Sequence, residues 1–439
     1  MNTTIRSLVA FSLLLLLTTV VAGVIASWAF LYPENFNTAI PFQQLRPIHV
    51  SAALFWIITG AVSCLLYYSQ ETKKLYPAGQ KAIGIYAALW ITTILVIFFF
   101  YSIKQFGGRE YWEFPPWLSI PILISWLLLM AGYFTYWVKI KDKKSLYWIM
   151  WATGILFFCI TFIEQNLWQI NWFRQSYLRE VTVQWKANGS MVGAWNQMIY
   201  GSSLYLMAKI SGDESIAQNR TVRFFYFLSL TNLMFNWGHH IYNVPTAGWV
   251  RHVSYLISMT EWLFFISMIR SFKSKLEESR RLKHLLTYRF IIASELWLFL
   301  NLILALMMSI PAINRYTHGT HITVAHAMGT TIGINTMILL GAIGYMLKVE
   351  ELDKKHKRTI TLGFYITQLS LLVFWICLVV AGIEKAYRTE IMPAASFQEI
   401  MRPVITVLKV FSLSGISLLT GISTIAVTYL SSLKRIRIL

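Results

Sequence analysis

The chain is 439 residues long, 56% hydrophobic and only 13% charged, with a formal net charge of +19. That balance excludes a water-soluble globular domain and describes an integral membrane protein. The excess of Lys and Arg is spread over the connections between apolar runs, as the positive-inside rule requires. No basic patch is interleaved with aromatics on a soluble face, so nucleic-acid binding is excluded as well.

A helix needs about 20 residues to cross the hydrocarbon. Such runs fall at 8–31, 46–69, 81–103, 116–138, 146–169, 189–210, 222–246, 252–270, 288–311, 319–347, 361–383 and 403–431. The first has no small-residue cleavage site followed by a mature soluble region, so it reads as a helix and not as a removable signal. Only the connections between spans five and six and between spans eleven and twelve have room for small ordered loops, which leaves residues 1–439 as a single transmembrane domain, an all-α bundle. With an even number of spans the two termini share a side. That side holds more than twice as many Lys and Arg as the other, in the clusters Lys139 to Lys144, Arg270 to Arg289 and Lys348 to Arg358. Both termini are therefore expected in the cytoplasm, and the protein in the inner membrane.

Cys64, Cys159 and Cys377 sit singly inside spans. There is no C-x-x-C-H for covalent haem attachment and no closely spaced pair for a thiolate copper site.

Of nine histidines, His284 and His356 fall in basic connections and read as solvated. The other seven lie toward the opposite, outer side: His49 after Arg46 at the start of span two, His239 and His240 at the end of span seven, His252 opening span eight, and His318, His321 and His326 in "RYTHGTHITVAHAMG". At a rise of about 1.5 Å per residue, His239, His240 and His326 share one depth, roughly 10 Å below the outer surface. A single buried imidazole is accounted for by a bond to a nearby carbonyl. Several at one depth, where ionisable groups are costly and no carboxylates match them, point to neutral ligands of a transition metal or haem. Neighbours on a helix point about 100° apart, so His239 and His240 converge only at a helix end or distortion. Pro245 and Gly248 supply an end.

Four blocks carry a resemblance: "RPIHVSAALFW", "GGREYWEFP", "WGHHIYNVPTAGWVRHVSYLISMTEW" and "INRYTHGTHITVAHAMG". Together, and in this order, they resemble the large catalytic subunit of the nitric oxide reductases, a branch of the haem-copper oxidase superfamily with a twelve-helix bundle. The resemblance implies that His326 is the axial ligand of a high-spin haem b and that His239 and His240 hold a non-haem iron facing it. It implies His49 as an axial ligand of a low-spin haem b, Glu261 as a residue of proton delivery, and Glu113 as a ligand of a calcium ion. The implied reaction turns two NO into nitrous oxide and water with two electrons and two protons. Electrons would come from a small cytochrome subunit or from quinol in the surrounding lipid.

Three departures from that pattern stand out. Where the family has a second histidine two residues after His326, this chain has Met328. Positions i and i+2 point about 200° apart, so one helix can serve two haems, and a His49/Met328 pair would raise the low-spin potential relative to two imidazoles. In "GAWNQMIYGSSLYL" the family's histidine and glutamate are replaced by Asn196 and Tyr200, four apart and on one face. An amide oxygen is a weaker, harder donor than imidazole, which favours iron over copper, and the phenol removes an anionic ligand. These departures leave three readings: a divergent reductase, a dismutase converting two NO into dinitrogen and dioxygen, and a haem-bearing gas-binding subunit without turnover.

Overall fold

The computed structural model describes residues 1–36, 40–72, 77–139, 145–258, 260–392 and 396–435. Residues 140–144 of the basic cluster Lys139 to Lys144 lie outside them. The chain is helical nearly throughout, as a backbone in lipid must be to satisfy its own hydrogen bonds.

The helices are α1 (Thr3–Leu31), α2 (Phe42–Thr72), α3 (Pro77–Ser102), α4 (Ser119–Lys139), α5 (Leu146–Gln165), α6 (Tyr177–Ser211), α7 (Arg220–Phe235), α8 (Gly248–Ile257), α9 (Glu261–Lys275), α10 (Leu285–Ser309), α11 (His321–Met328), α12 (Met337–Met346), α13 (Lys354–Ile391) and α14 (Phe397–Leu433). The pairs α8/α9 and α11/α12 each make one crossing, which gives a twelve-crossing bundle. Among the described residues ten of these crossings are long and apolar enough to span a membrane by themselves. The other two are α6 and α7. From Ala187 onward α6 is almost wholly buried and carries Asn188, Asn196, Gln197, Ser202 and Ser203. A crossing enclosed by other helices needs no apolar coat. The lipid-side helices show the reverse pattern, with Leu95, Phe99, Ile120 and Leu369 exposed on their outer faces.

The two connections expected to carry ordered loops are largely helical. α6 begins at Tyr177, capped by Ser176, and α13 and α14 run to Ile391 and from Phe397, the latter opened by a capping box of Ser396 and Glu399. The capping chemistry extends these helices beyond their apolar stretches.

The helix bearing His326 is interrupted directly after Met328 by a π-helical stretch, Gly329–Thr336. The His326 carbonyl accepts from side chains as well as from the Gly329 backbone N–H: Asn301 Nδ2 donates to it at 3.0 Å and Thr330 Oγ1 at 3.0 Å. Asn301 Nδ2 also donates to Thr330 Oγ1 at 2.7 Å, which closes the triangle. A π-helical insertion in an α-helix commonly marks a functional helix.

Candidate active site

His326, His239 and His240 come together as their common depth predicts, lining one small pocket with His318, Asn314 and Met308. The pair converges because the chain tightens to a 3-10 turn over Asn236–Ile241, at the histidines themselves and ahead of Pro245. Their ring centroids are 4.1 Å apart. His239 Nδ1 lies 2.9 Å from Asn236 Oδ1, and Asn314 Nδ2 donates to the His239 carbonyl at 3.5 Å. His326 stacks on Trp262 at 6.1 Å, and its Nδ1 is buried without a partner. As neutral donors lining one pocket, His239 and His240 would hold a metal and His326 a haem iron. Among the described residues no three His, Cys, Asp or Glu side chains gather closely enough to hold an ion by themselves.

His326 and Met328 end a regular turn of α11, so their i, i+2 spacing sends them to different places. Met328 lines a second cavity together with His49, Thr19, Trp56 and Phe374. His49 Nδ1 lies 2.9 Å from the Thr19 carbonyl, which makes that nitrogen the donor and leaves Nε2 its lone pair. A Cβ on Gly23 would stand 2.7 Å from His49 Cε1, so a bare backbone is what admits the imidazole. An apolar cavity with an imidazole and a thioether in its walls fits a haem with His/Met ligation.

Neither Asn196 nor Tyr200 is among the residues that line the pocket of the pair. Antiparallel pairing of α6 with α7 sets Gln197 Nε2 against Ser229 Oγ at 3.0 Å, Gly189 against Trp237, and Trp185 against His240. The α6 residues level with the pair are thus Trp185 to Gly189, and Asn196 lies seven residues beyond Gly189, about 10 Å along the helix. Its Oδ1 accepts from Asn335 Nδ2 at 3.1 Å. Tyr200 is buried below Trp262, whose Nε1 donates to its hydroxyl at 3.2 Å. Glu261, at the first turn of α9, is 2% exposed; Asn232 Nδ2 donates to Oε1 at 2.5 Å, and Oε2 is buried without a partner.

Glu113, the expected calcium ligand, pairs at Oε1 with the Arg46 guanidinium, which also reaches Glu110 Oε1 at 3.1 Å, and its Oε2 is buried without a partner. Burial pushes the Glu113 carboxyl above its ordinary range, and Arg46 opposes the shift. Of the remaining histidines, His252 is exposed, His321 borders the cavity of His49 and Arg46, and His356 Nδ1 meets Asp353 Oδ1 at 2.7 Å. His284 is half-buried and not fully solvated, 5.9 Å from Tyr345 in a polar pocket with Glu71 and Glu350. Trp185, Asn236 and Asn301 touch the candidate ligands without a motif of their own to mark them.

The sequence profile of cytochrome c and quinol oxidase polypeptide I matches residues 3–416. The chain belongs to that family. It is an oxidoreductase of the haem-copper oxidase superfamily, a family that works with haem, in the subunit I position. It is 22% identical over 412 residues to a nitric oxide reductase subunit of Stutzerimonas stutzeri, covering 87% of this chain and 84% of that one. It is 22% identical over 374 residues to a cbb3-type cytochrome c oxidase subunit of the same organism, covering 82% and 77%. A cytochrome c oxidase subunit 1 homolog of Agrobacterium tumefaciens strain T37 matches at 22% over 444 residues, covering 91% and 77%. Among solved structures, a haem-copper terminal oxidase dimer shares the fold with a TM-score of 0.75 at 12% identity, covering 98% of this chain and 84% of that one.

Proposed function

We propose that this family member acts on NO, coupling two molecules into nitrous oxide: two NO, two protons and two electrons give N2O and water. The observation that carries the reading is the His239/His240 pair, 4.1 Å between rings, facing one pocket with His326. Haem on His326 and non-haem iron on the pair would supply the redox chemistry there. The chain's own residues do the rest. His239 keeps its tautomer through Asn236, so Nε2 is free to ligate. Glu261 takes up and passes on protons at Oε2, the oxygen that Asn232 leaves free. Trp262 bridges Tyr200 and His326 and excludes water between them.

His49 and Met328 would hold a second haem b, which would supply electron transfer to the site. The source of the electrons is a small cytochrome subunit or quinol from the lipid. Loop charge supports termini in the cytoplasm and a pocket toward the outer side of the inner membrane, in respiratory denitrification.

A second reading, dismutation of two NO to dinitrogen and dioxygen, is favoured by the phenol of Tyr200, which Trp262 ties to His326 where the reductases carry a carboxylate. It needs no external electrons. Product analysis with isotopically labelled NO, with and without reductant, separates the two.

A further inference from the structure

The face of α6 that meets α7 is written by residues four apart: Trp185, Gly189, Gly193 and Gln197 oppose His240, Trp237, Leu233 and Ser229. A Cβ on Gly189 would stand 2.7 Å from the Trp237 Cβ, so the two helices approach at a distance that only glycine allows. That approach lays the indole of Trp185 flat on the imidazole of His240, with centroids 4.9 Å apart and planes within 11°. The His239 ring approaches His240 as well, tilted by 39°. His240 is thus fixed by ring contacts, whereas His239 is fixed at its edge by Asn236.

The turn that carries Trp185 is itself anchored. Asn188, 1% exposed, accepts at Oδ1 from Gln165 Nε2 at 2.6 Å and from Gln184 Nε2 at 3.2 Å. Gln165 Oε1 in turn accepts from Trp112 Nε1 at 2.5 Å, which ties α6 to the end of α5 and to the loop before α4.

We infer that Trp185 is the positioning residue of the paired-histidine centre, the flat wall that sets the ring plane of His240. The inference rests on the reading that the pair holds a metal. An indole offers no lone pair to an ion, so Trp185 acts through its neighbour. The last torsion of histidine is broad and soft; without a wall, the ring turns its Nε2 out of the ligating direction for much of the time. Partners that orient ligating imidazoles are typically worth 10–100-fold in metal affinity.

The test is titration of the purified, metal-depleted full chain with Co2+, whose visible bands report ligand geometry. His240→Ala should abolish binding. Trp185→Ala should weaken it by about 10–100-fold and shift the bands, Trp185→Leu should do the same while filling the space, and Trp185→Phe, which keeps a flat ring, should stay near wild type. Thermal unfolding checks that each variant is folded, and Trp185→Leu decides the matter where Trp185→Ala fails to fold. Wild-type affinity and bands in Trp185→Leu, with binding lost in His240→Ala, would overturn the role of Trp185 alone. No Co2+ bound by the wild type, or binding indifferent to His240→Ala, would overturn the metal reading and this inference with it.

Discussion

Trp262 and His326 stack at 6.1 Å with planes 27° apart, and the same indole donates Nε1–H to the Tyr200 hydroxyl at 3.2 Å. One side chain therefore links the candidate axial ligand to the phenol that stands where relatives carry a carboxylate. Removing the indole N–H in Trp262→Phe should cost about 1–2 kcal/mol, the worth of a buried hydrogen bond, and shift the absorption of the haem on His326. Thermal unfolding and optical spectra read both effects. Unchanged spectra would separate Trp262 from the haem environment.

Haem content tests the division of labour on α11. The wild type should carry two haems b. His49→Ala and Met328→Ala should each perturb one and spare the other, and Gly23→Ala should do likewise, because its Cβ would stand 2.7 Å from His49 Cε1. Haem quantification with reduced-minus-oxidised spectra measures this. A single haem per chain, indifferent to all three changes, would remove the low-spin assignment.

The number of crossings, the common depth of three histidines and the divergence of His326 from Met328 were all legible in the sequence, because they follow from the length of apolar runs and from position along each helix. The surroundings of the ligands were not. Trp185 and His240 lie 55 positions apart and meet only through the register of α6 on α7, which Gly189 and Gly193 set and which no local pattern announces. Asn196 shows the same limit from the other side. Family spacing assigned it to the pair, and helix register puts it beside Asn335.

Metal content follows from that register. His239→Ala or His240→Ala should abolish the non-haem metal while leaving haem largely in place. Asn196→Ala should leave the metal untouched and destabilise the fold by about 1–3 kcal/mol, since Asn335 Nδ2 loses its buried acceptor. Metal analysis beside thermal unfolding distinguishes the cases. Loss of metal in Asn196→Ala would return that residue to the ligand set.

Glu113 should make stability depend on pH. Its folded carboxyl holds its proton to higher pH than the unfolded one, because burial outweighs Arg46. Between the ordinary carboxylate value and the raised one the folded state binds more protons, so stability falls as pH rises through that window and stays lower above it. Glu113→Gln should flatten the decline. Unfolding midpoints across the mildly acidic range would show it, and an unchanged slope in the variant would remove Glu113 as its source.

The central claim is that this chain couples NO with electrons from outside. The direct measurement is mass spectrometry of the gas formed when purified protein meets isotopically labelled NO, with and without a reductant. Doubly labelled nitrous oxide is expected only when reductant is present, and none from His239→Ala or His240→Ala. Labelled dinitrogen with dioxygen in the absence of reductant, or no gaseous product under either condition, would contradict it.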